Sequence, residues 1–390
     1  MKISKRIEGV EYAIRDIALS AKELEKEGRK ITYLNIGDPV LYGFQPPDNV
    51  KEAFIRAIEN GQNYYAPSEG LPDLRKAIAQ KEKAKGLSVS EDDILVTNGI
   101  SEGLEMLMAS LVEQGDEVLI PGPYYPPYAS YVRLFGGIPV EFAVDLNNSM
   151  PDIEDIKSKI TPKTVAICLI SPNNPTGAVF NERSLRDLVD IAVENNLYVI
   201  CDEIYDQIVF DEKFVGIGKV SRDAPVILVN GFSKVHLMSG WRIGYLAFNN
   251  SSKLDNLRNN IPKLARVRIA SNLPVQHAAL ESLRGSQDYI IKFVSELKKR
   301  RDYVIKRLNE MHGLNCSVPK GAFYAFPKIV NNRYKSDKEF VIELLKTKGV
   351  LVVHGSGFGS TYGKGHFRLV FLPAISVLEE SLNKIEEFVA

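Results

Sequence analysis

The chain has 390 residues, 45% hydrophobic and 25% charged, which is a composition typical of globular proteins. Its 49 basic and 49 acidic side chains balance, so no strong field is available to attract nucleic acid or anionic lipid. The length predicts about two domains.

The N-terminus and the cysteines favour a cytoplasmic protein without a membrane partner. The first residues lack the apolar core of a signal peptide. Apolar runs such as 165–170 are too short to span a bilayer. Cys168, Cys201 and Cys316 lie far apart, so neither a metal site nor a disulfide framework is predicted.

Six short apolar runs in the middle of the chain predict buried strands of a mostly parallel sheet. The runs are Ile94–Asn98, Glu117–Pro121, Thr164–Ser171, Leu197–Asp202, Val226–Asn230 and Gly244–Phe248. The helical patterns between them are Glu102–Glu113, Asn181–Asn195 and Ser251–Arg268. This alternation predicts a layered α/β domain.

The C-terminal part predicts a smaller α+β domain. One long helical pattern runs from Ala278 to Met311, is interrupted softly by Gly285, and is expected to join the two domains rigidly. The predicted strands after it are Ala322–Pro327, Val350–His354 and Phe367–Phe371, and the predicted helices are Lys335–Lys348 and Ile375–Val389.

A lysine follows a buried strand where the run from Val226 leads into Ser233 and Lys234. Burial and nearby cations would lower the pKa of this lysine and make its amine nucleophilic. A surface lysine in a loop is the ordinary alternative, and the Ser-Lys pair alone does not exclude it.

An aspartate, Asp202, ends another predicted strand, and Tyr205 follows three residues later. A buried carboxylate needs a partner because an unpaired buried charge is costly, and a protonated ring nitrogen would be one. The alternatives are helix capping for Asp202 and core packing for Tyr205.

Three further segments carry polar groups. Asn174 lies in a rigid turn between prolines. Gly99 leads a strand into a helix whose first amides could hold a phosphate. Arg368 lies in a strand pattern and could bind a carboxylate. A plain turn, an ordinary helix start and a surface ion pair are the respective alternatives.

Together these groups are the parts of a pyridoxal phosphate site, and their order resembles the class I/II aminotransferases of fold type I. The resemblance covers nearly the whole chain. Its motifs are Ile36–Pro39, Tyr65–Pro67, Glu69–Arg75, Pro121–Pro126, Asn173–Gly177, Asp202–Tyr205, Ser233–Lys234 with Arg242, and Lys320–Tyr324.

The resemblance implies an α/β fold in two domains. The large domain, residues 46–285, would contain a mostly parallel seven-stranded sheet. Residues 1–45 and 286–390 would form the smaller α+β domain. The resemblance also implies a homodimer with shared active sites and small-molecule substrates, namely amino acids and 2-oxo acids.

The resemblance assigns catalytic and cofactor roles to the candidate residues. The implied catalytic residues are Lys234, Asp202 and Tyr205. Lys234 would hold pyridoxal 5'-phosphate as a Schiff base and transfer the substrate proton, and Asp202 would pair with the ring nitrogen. The other implied cofactor contacts are Tyr205 and Asn174 at the phenolic oxygen, Tyr125 on the ring face, Gly99, Ile100, Ser101, Ser233 and Arg242 at the phosphate, and Tyr65 at the phosphate of the neighbouring subunit.

The substrate α-carboxylate would be held by Arg368 and Asn174, with the Gly37 amide nearby. We expect Tyr12 and Arg15 to form a movable segment that meets the distal carboxylate of glutamate. In the alternative interpretation Arg15 makes a surface pair and Tyr12 simply packs.

The alanine-type branch resembles the chain most, through Tyr12–Arg15, Asn230–Gly231 and Phe367–Pro373. The resemblance to this branch implies two half-reactions that move an amino group from L-alanine to 2-oxoglutarate. One position departs from the family, since many relatives carry Ser or Thr where this chain has Gly231. One phosphate contact is therefore expected to be missing.

Three other functions stay open. An aspartate or aromatic aminotransferase would differ only in substrate, and a C–S β-lyase shares both fold and cofactor. The aminotransferase-like domain of a transcription regulator is disfavoured by the zero net charge and by the early start of the aminotransferase pattern.

Overall fold

The computed structural model describes residues 3–146, 150–330 and 333–390. Its strands, β1 to β15 in chain order, are Thr32–Tyr33, Ile94–Thr97, Glu117–Gly122, Ile138–Asp145, Met150–Pro151, Thr164–Ile170, Tyr198–Asp202, Val226–Gly231, Gly244–Phe248, Leu314–Asn315, Tyr324–Ala325, Lys328–Ile329, Val350–Leu351, Val353–His354 and Phe367–Val370. Its helices, α1 to α14, are Ala13–Lys26, Asp48–Glu59, Pro72–Ala84, Ile100–Leu111, Pro127–Leu134, Ile153–Lys159, Glu182–Glu194, Gly218–Ser221, Asp255–Asn260, Pro262–Val267, Leu273–Arg284, Asp288–Glu310, Asp337–Lys348 and Ile375–Val389.

Eight of the described strands form the central sheet, in the order β2-β9-β8-β7-β6-β3-β4-β5. The pairs from β8 to β4 are parallel, whereas β9 runs antiparallel to both of its neighbours. The predicted α/β class and mostly parallel sheet are confirmed. The eighth strand, added to the predicted seven, is the two-residue β5 at the edge.

The central strands are apolar throughout because helices cover both faces of the sheet. Along β6, Ile167 and Leu169 pack into one core, while Cys168 and Ile170 pack into the core on the opposite face. Side chains alternate between the faces of a strand, so a strand buried on both sides reads as a continuous apolar run.

A third core joins the two ends of the chain. Ile14 and Ile17 of α1 and Leu34 pack with the side chains of α12 to α14 and with β15. The short strand β1 pairs in parallel with β13, which ties the N-terminal segment to the C-terminal part. The predicted domain boundaries stay a prediction, and this shared core is consistent with a small domain built from both termini.

The prediction of one long helical stretch from Ala278 to Met311 is wrong, because the structure has two helices there. Helix α11 ends at Arg284 and α12 begins at Asp288. Gly285 takes an extended conformation, and the Gln287 side chain donates to the carbonyls of Ser282 and Gly285. The break is therefore a capped corner between two helices.

Strand β4 and helix α1 are among the elements that were not predicted from the sequence. Strand β4, Ile138–Asp145, contains Pro139 and Glu141 and is only partly buried, so it lacks the apolar run that identifies its neighbours. Helix α1 contains Arg15 in its first turn. No described helix is long and apolar enough to cross a membrane.

Candidate active site

A cavity of about 510 Å³ lies beyond the carboxyl ends of β6, β7 and β8. Sheets of this kind bind their ligands at this edge. The cavity is lined by thirteen of the predicted site residues: Tyr12, Arg15, Gly37, Ile100, Ser101, Tyr125, Asn174, Asp202, Tyr205, Ser233, Lys234, Arg242 and Arg368. Strand register thus brings together residues that are far apart in the sequence.

Lys234 follows β8 and donates from Nζ to the carbonyl of Gly37 at 2.7 Å. Burial, together with Arg368, Arg242 and Arg15, lowers the pKa of its amine to about 8, against the opposing effect of Asp38. A large fraction of this amine is therefore neutral near pH 8, which is the nucleophilic form.

Asp202 ends β7 and is buried beneath the cavity. Its two oxygens accept hydrogen bonds from the Tyr128 hydroxyl at 2.9 Å and from the Ile204 amide at 3.0 Å. Burial raises the pKa of this carboxyl to about 6, although both hydrogen bonds oppose the rise. A cation above this carboxylate would restore its charged form.

The start of α4 has the features that suit an anion. Gly99 precedes the helix with φ 76°, and the amides of Ile100 and Ser101 are free at the first turn. A Cβ on Gly99 would lie 2.5 Å from the Arg242 guanidinium. Glycine therefore allows Arg242 to approach the helix terminus, where both contribute positive potential.

Gly231, the position that departs from the family pattern, lies against backbone. A Cβ there would meet the Gly244 Cα at 3.0 Å, the Ile243 carbonyl at 3.1 Å and Ile100 at 3.3 Å. A larger side chain would crowd this strand pair, so the absence of a hydroxyl at residue 231 fits its surroundings.

Arg368 enters from β15 and is only 1% exposed. Its guanidinium lies 4.5 Å from the Tyr324 ring and 4.8 Å from the Phe358 ring. It donates to the side-chain oxygen of Asn174 at 2.8 Å and to the backbone carbonyl of Asn35. Burial lowers the pKa of this guanidinium, and an incoming carboxylate would compensate the charge.

Tyrosine hydroxyls form a second polar layer. Tyr12 and Tyr125 share a hydrogen bond of 3.1 Å, and Tyr205 and Tyr324 share one of 2.8 Å. Burial raises the pKa of Tyr205 well above its ordinary value, so its hydroxyl stays protonated. Arg15 lines the same cavity from an exposed position on α1.

Two predicted residues do not line this cavity. Gly99 lies behind it, against Arg242. Tyr65 is 78% exposed and lies outside the cavity of its own chain. Its predicted contact with a neighbouring subunit stays a prediction.

Three residues of the site were not singled out in advance as ligands or positioning groups. Asp38 lines the cavity and accepts from the Ser239 hydroxyl at 2.5 Å and from the Val40 amide. Tyr128 holds Asp202, and Tyr324 packs against Arg368. Asp38 and Tyr324 lie in motifs already recognised, whereas Tyr128 gives no such signal.

The cavity carries an excess of positive charge. Its lining contains the four cationic side chains of Lys234, Arg15, Arg242 and Arg368, against the two carboxylates of Asp38 and Asp202. Such a cavity suits an anionic ligand, with Arg242 beside the α4 terminus and Arg368 on β15.

Comparison with known proteins identifies the class of protein. Residues 29–385 match the family model for class I and II aminotransferases. The match covers most of the chain, so the chain belongs to the class I and II aminotransferase family.

The relatives include several that are named for alanine. The chain is 38% identical to the glutamate-pyruvate aminotransferase AlaA of Haemophilus influenzae, over 99% of this chain and 98% of the relative. The solved alanine aminotransferase of Pyrococcus furiosus matches with a TM-score of 0.97 and 49% identity, over 100% of this chain and 99% of that one. The aspartate aminotransferase of Thermus thermophilus matches with a TM-score of 0.90 and 31% identity over 100% of both chains.

We expect Lys234 to be the most readily acylated lysine of the cofactor-free protein near pH 8. Its pKa is about 8, so its neutral amine accumulates about two pH units below that of an ordinary lysine. Labelling with acetic anhydride at several pH values, followed by peptide mass spectrometry, measures this. Half-maximal labelling of Lys234 near pH 10.5 would contradict the lowered pKa.

Proposed function

We propose that this aminotransferase uses pyridoxal 5'-phosphate, held by Lys234, to transfer the amino group of L-alanine to 2-oxoglutarate. The observation that carries the proposal is one cavity that combines a nucleophilic lysine, a buried carboxylate, a helix terminus with an arginine, and a second buried arginine. The names of the relatives support the choice of alanine.

The residues of the cavity fit the proposed cofactor. Asp202 has a pKa raised by burial, so a protonated ring nitrogen would supply the charge partner that favours its ionised form. The α4 terminus with Ser233 and Arg242 would bind the phosphate. Asn174 and Tyr205 would meet the phenolic oxygen, and the Tyr125 ring would cover one face.

Each residue then has a task in the reaction. When bound, pyridoxal phosphate supplies an electron sink for the carbanion that forms at the substrate Cα. Asp202 would keep the ring nitrogen protonated, and Arg368 with Asn174 would fix the substrate carboxylate. The Lys234 amine takes the proton from Cα, which its lowered pKa permits near neutral pH. Positioning and proton transfer are thus the protein's share of catalysis.

Alanine is supported over aspartate by sequence identity, because both kinds of relative share the fold. Identity is 49% to the Pyrococcus alanine enzyme and 31% to the Thermus aspartate enzyme. The two TM-scores, 0.97 and 0.90, leave the substrate open. Substrate choice therefore depends on side chains rather than on the fold.

The test is a panel of amino donors with 2-oxoglutarate or pyruvate as acceptor, together with borohydride trapping of the cofactor. We expect alanine with 2-oxoglutarate to give the highest kcat/KM, and the trapped cofactor to map to Lys234. Lys234→Ala should abolish turnover, and Lys76→Ala on an exposed helix face is the matched control. Pyruvate and ammonia from cysteine without any acceptor would instead support a C–S β-lyase.

Arg15 is the proposed partner for the distal carboxylate of glutamate. Its side chain lines the cavity on the first turn of α1, beside the linked hydroxyls of Tyr12 and Tyr125. Because Arg15 is exposed at the rim, its side chain can approach the distal carboxylate of glutamate and stay in solvent when the shorter alanine is bound.

We expect Arg15→Ala to weaken the use of glutamate and 2-oxoglutarate more than that of alanine and pyruvate. A hydrogen bond to a charged group contributes about 1.5–3 kcal/mol, so kcat/KM for glutamate should fall about tenfold or more. The measurement is the ratio of kcat/KM for the two half-reactions. Lys22→Ala on the same helix is the control, and equal losses for both substrates would contradict the role.

A homodimer with shared active sites is supported by an apolar surface patch. Tyr64, Tyr65, Val267 and Ile269 are all large and exposed, with Tyr65 at 78% and Val267 at 83%. The Ser68 hydroxyl donates to the Ile269 carbonyl at 2.6 Å and joins the two segments. Exposed apolar patches of this kind mark interaction surfaces.

We expect the 43.5 kDa chain to sediment as a dimer, and Tyr65→Phe to weaken cofactor binding by removing a phosphate contact across the interface. Tyr64→Phe is the matched control, since the Tyr64 hydroxyl bonds to Gln62 within its own chain. Sedimentation equilibrium and cofactor titration are the measurements. A fully active monomer, or equal effects of both variants, would refute the shared site.

A further inference from the structure

Five buried or half-buried ionisable side chains lie outside the cavity, behind the loop that follows β7. We name the set Lys81, Glu82, Lys85, Glu203 and Asp206 the buried ion cluster. Its carboxylates are nearly inaccessible, and the side chains of Lys81 and Lys85 are 18% and 19% exposed. None of the five lines the described cavity, so the reaction proposed above does not use them directly.

Asp206 is the hub of the cluster. One of its oxygens, Oδ2, accepts from Lys81 at 2.9 Å, from Lys85 at 2.9 Å and from the side-chain Nδ2 of Asn230 at 3.0 Å. The other oxygen, Oδ1, is buried and has no partner among the described residues. Asp206 is therefore linked to its three donors through a single oxygen atom.

The hub connects two segments of the active site. Asp206 lies in the turn after β7, next to Tyr205 and four residues beyond Asp202. Asn230 belongs to β8, accepts from the Gly231 amide at 2.7 Å, and stands four residues before Lys234. The hydrogen bond between Asp206 and Asn230 thus joins the loop of Asp202 to the strand of Lys234.

The loop is anchored at a second point. The Glu203 side chain accepts from Lys85 at 2.6 Å and from the Ile217 amide at 2.6 Å. Glu203 and Asp206 lie on either side of Tyr205, and both bind Lys85, the residue that follows α3 at its C-terminal end. The short turn is therefore fixed on both sides of Tyr205 to the end of one helix.

The side chains at the centre of the cluster are held in their ionised forms. The lysines keep the pKa of Asp206 below its usual range although burial opposes them, and the carboxylates raise the pKa of Lys81 and Lys85. Buried ion pairs of this kind often add little net stability, because desolvation offsets their attraction. A role in fixing geometry is the alternative to a role in stability.

We propose that Asp206 is a positioning residue, which holds the Asp202–Tyr205 turn in register with the strand that leads to Lys234. The inference rests on the proposed roles of Asp202, Tyr205 and Lys234 at the cofactor. Errors of about 1 Å in such groups reduce rates by about a hundredfold, so the anchor would act on catalysis more than on folding.

The test compares Asp206→Ala with Asp206→Asn. The alanine variant removes the acceptor of three hydrogen bonds. The asparagine variant keeps an oxygen for the three donors and turns its amide toward the unpartnered side. Asp93→Ala is the matched control, because Asp93 is a buried carboxylate paired with Arg258 at 2.6 Å, before the first residue of β2.

We expect Asp206→Ala to lower kcat about ten- to a hundredfold with a much smaller change in KM, and Asp206→Asn to recover most of the loss. Two readouts do not depend on turnover. Fluorescence of Trp241, the single tryptophan of the chain, follows cofactor binding to the cofactor-free protein, and the visible absorption of the holoenzyme as a function of pH reports the surroundings of Asp202 and Lys234. Asp206→Ala should shift this pH profile, whereas Asp93→Ala should lower only the thermal stability.

If Asp206→Ala does not fold, Asn230→Ala tests the same connection from β8. A kcat and an absorption profile equal to those of the Asp93→Ala control, in whichever of the two variants folds, would overturn the positioning role. Equal losses in Asp206→Ala and Asp206→Asn would also overturn it. Failure of the wild-type protein to transaminate any donor would refute the proposed function instead.

Discussion

The register between three parallel strands is the constraint on which the rest of the site depends. Ile170 of β6 pairs with Asp202 of β7, and Asp202 pairs with Val229 of β8. Parallel pairing brings the carboxyl ends of neighbouring strands to the same edge, so the segments that follow them share one cavity. A slip of β7 by one residue would turn Asp202 to the opposite face of the sheet.

Burial at this edge then sets the chemistry of the charges. It lowers the pKa of Lys234 to about 8 and raises that of Asp202 to about 6. Both shifts disfavour the charged form, as removal from water does. Arg368, which enters from a different sheet, keeps its charge between two aromatic rings. An amine with a lowered pKa, a carboxylate that needs a cation and a buried guanidinium thus face one space.

The elements that could be predicted from the sequence are those whose signal is local. The apolar strands β6 to β9 were predicted within a residue or two, since burial on both faces leaves a continuous apolar run. Strand β4 was missed because Pro139 and Glu141 interrupt that run. The corner at Gly285 was underestimated because its capping by Gln287 depends on side-chain geometry rather than on composition.

The sequence by itself determined which groups are candidates for the chemistry, because Lys234 and Gly99 follow strands, and Asp202 ends a strand, whose patterns are visible locally. Only the tertiary structure decided what holds those groups in place. Asp38 and Ser239, which form a hydrogen bond, are 201 residues apart in the sequence, and Tyr128 and Asp202 are 74 residues apart. Asp206 accepts hydrogen bonds from Asn230 of β8 and from Lys81 of α3. Such partners are set by how helices pack on the sheet, and a linear pattern carries no record of distances between segments that are remote along the chain.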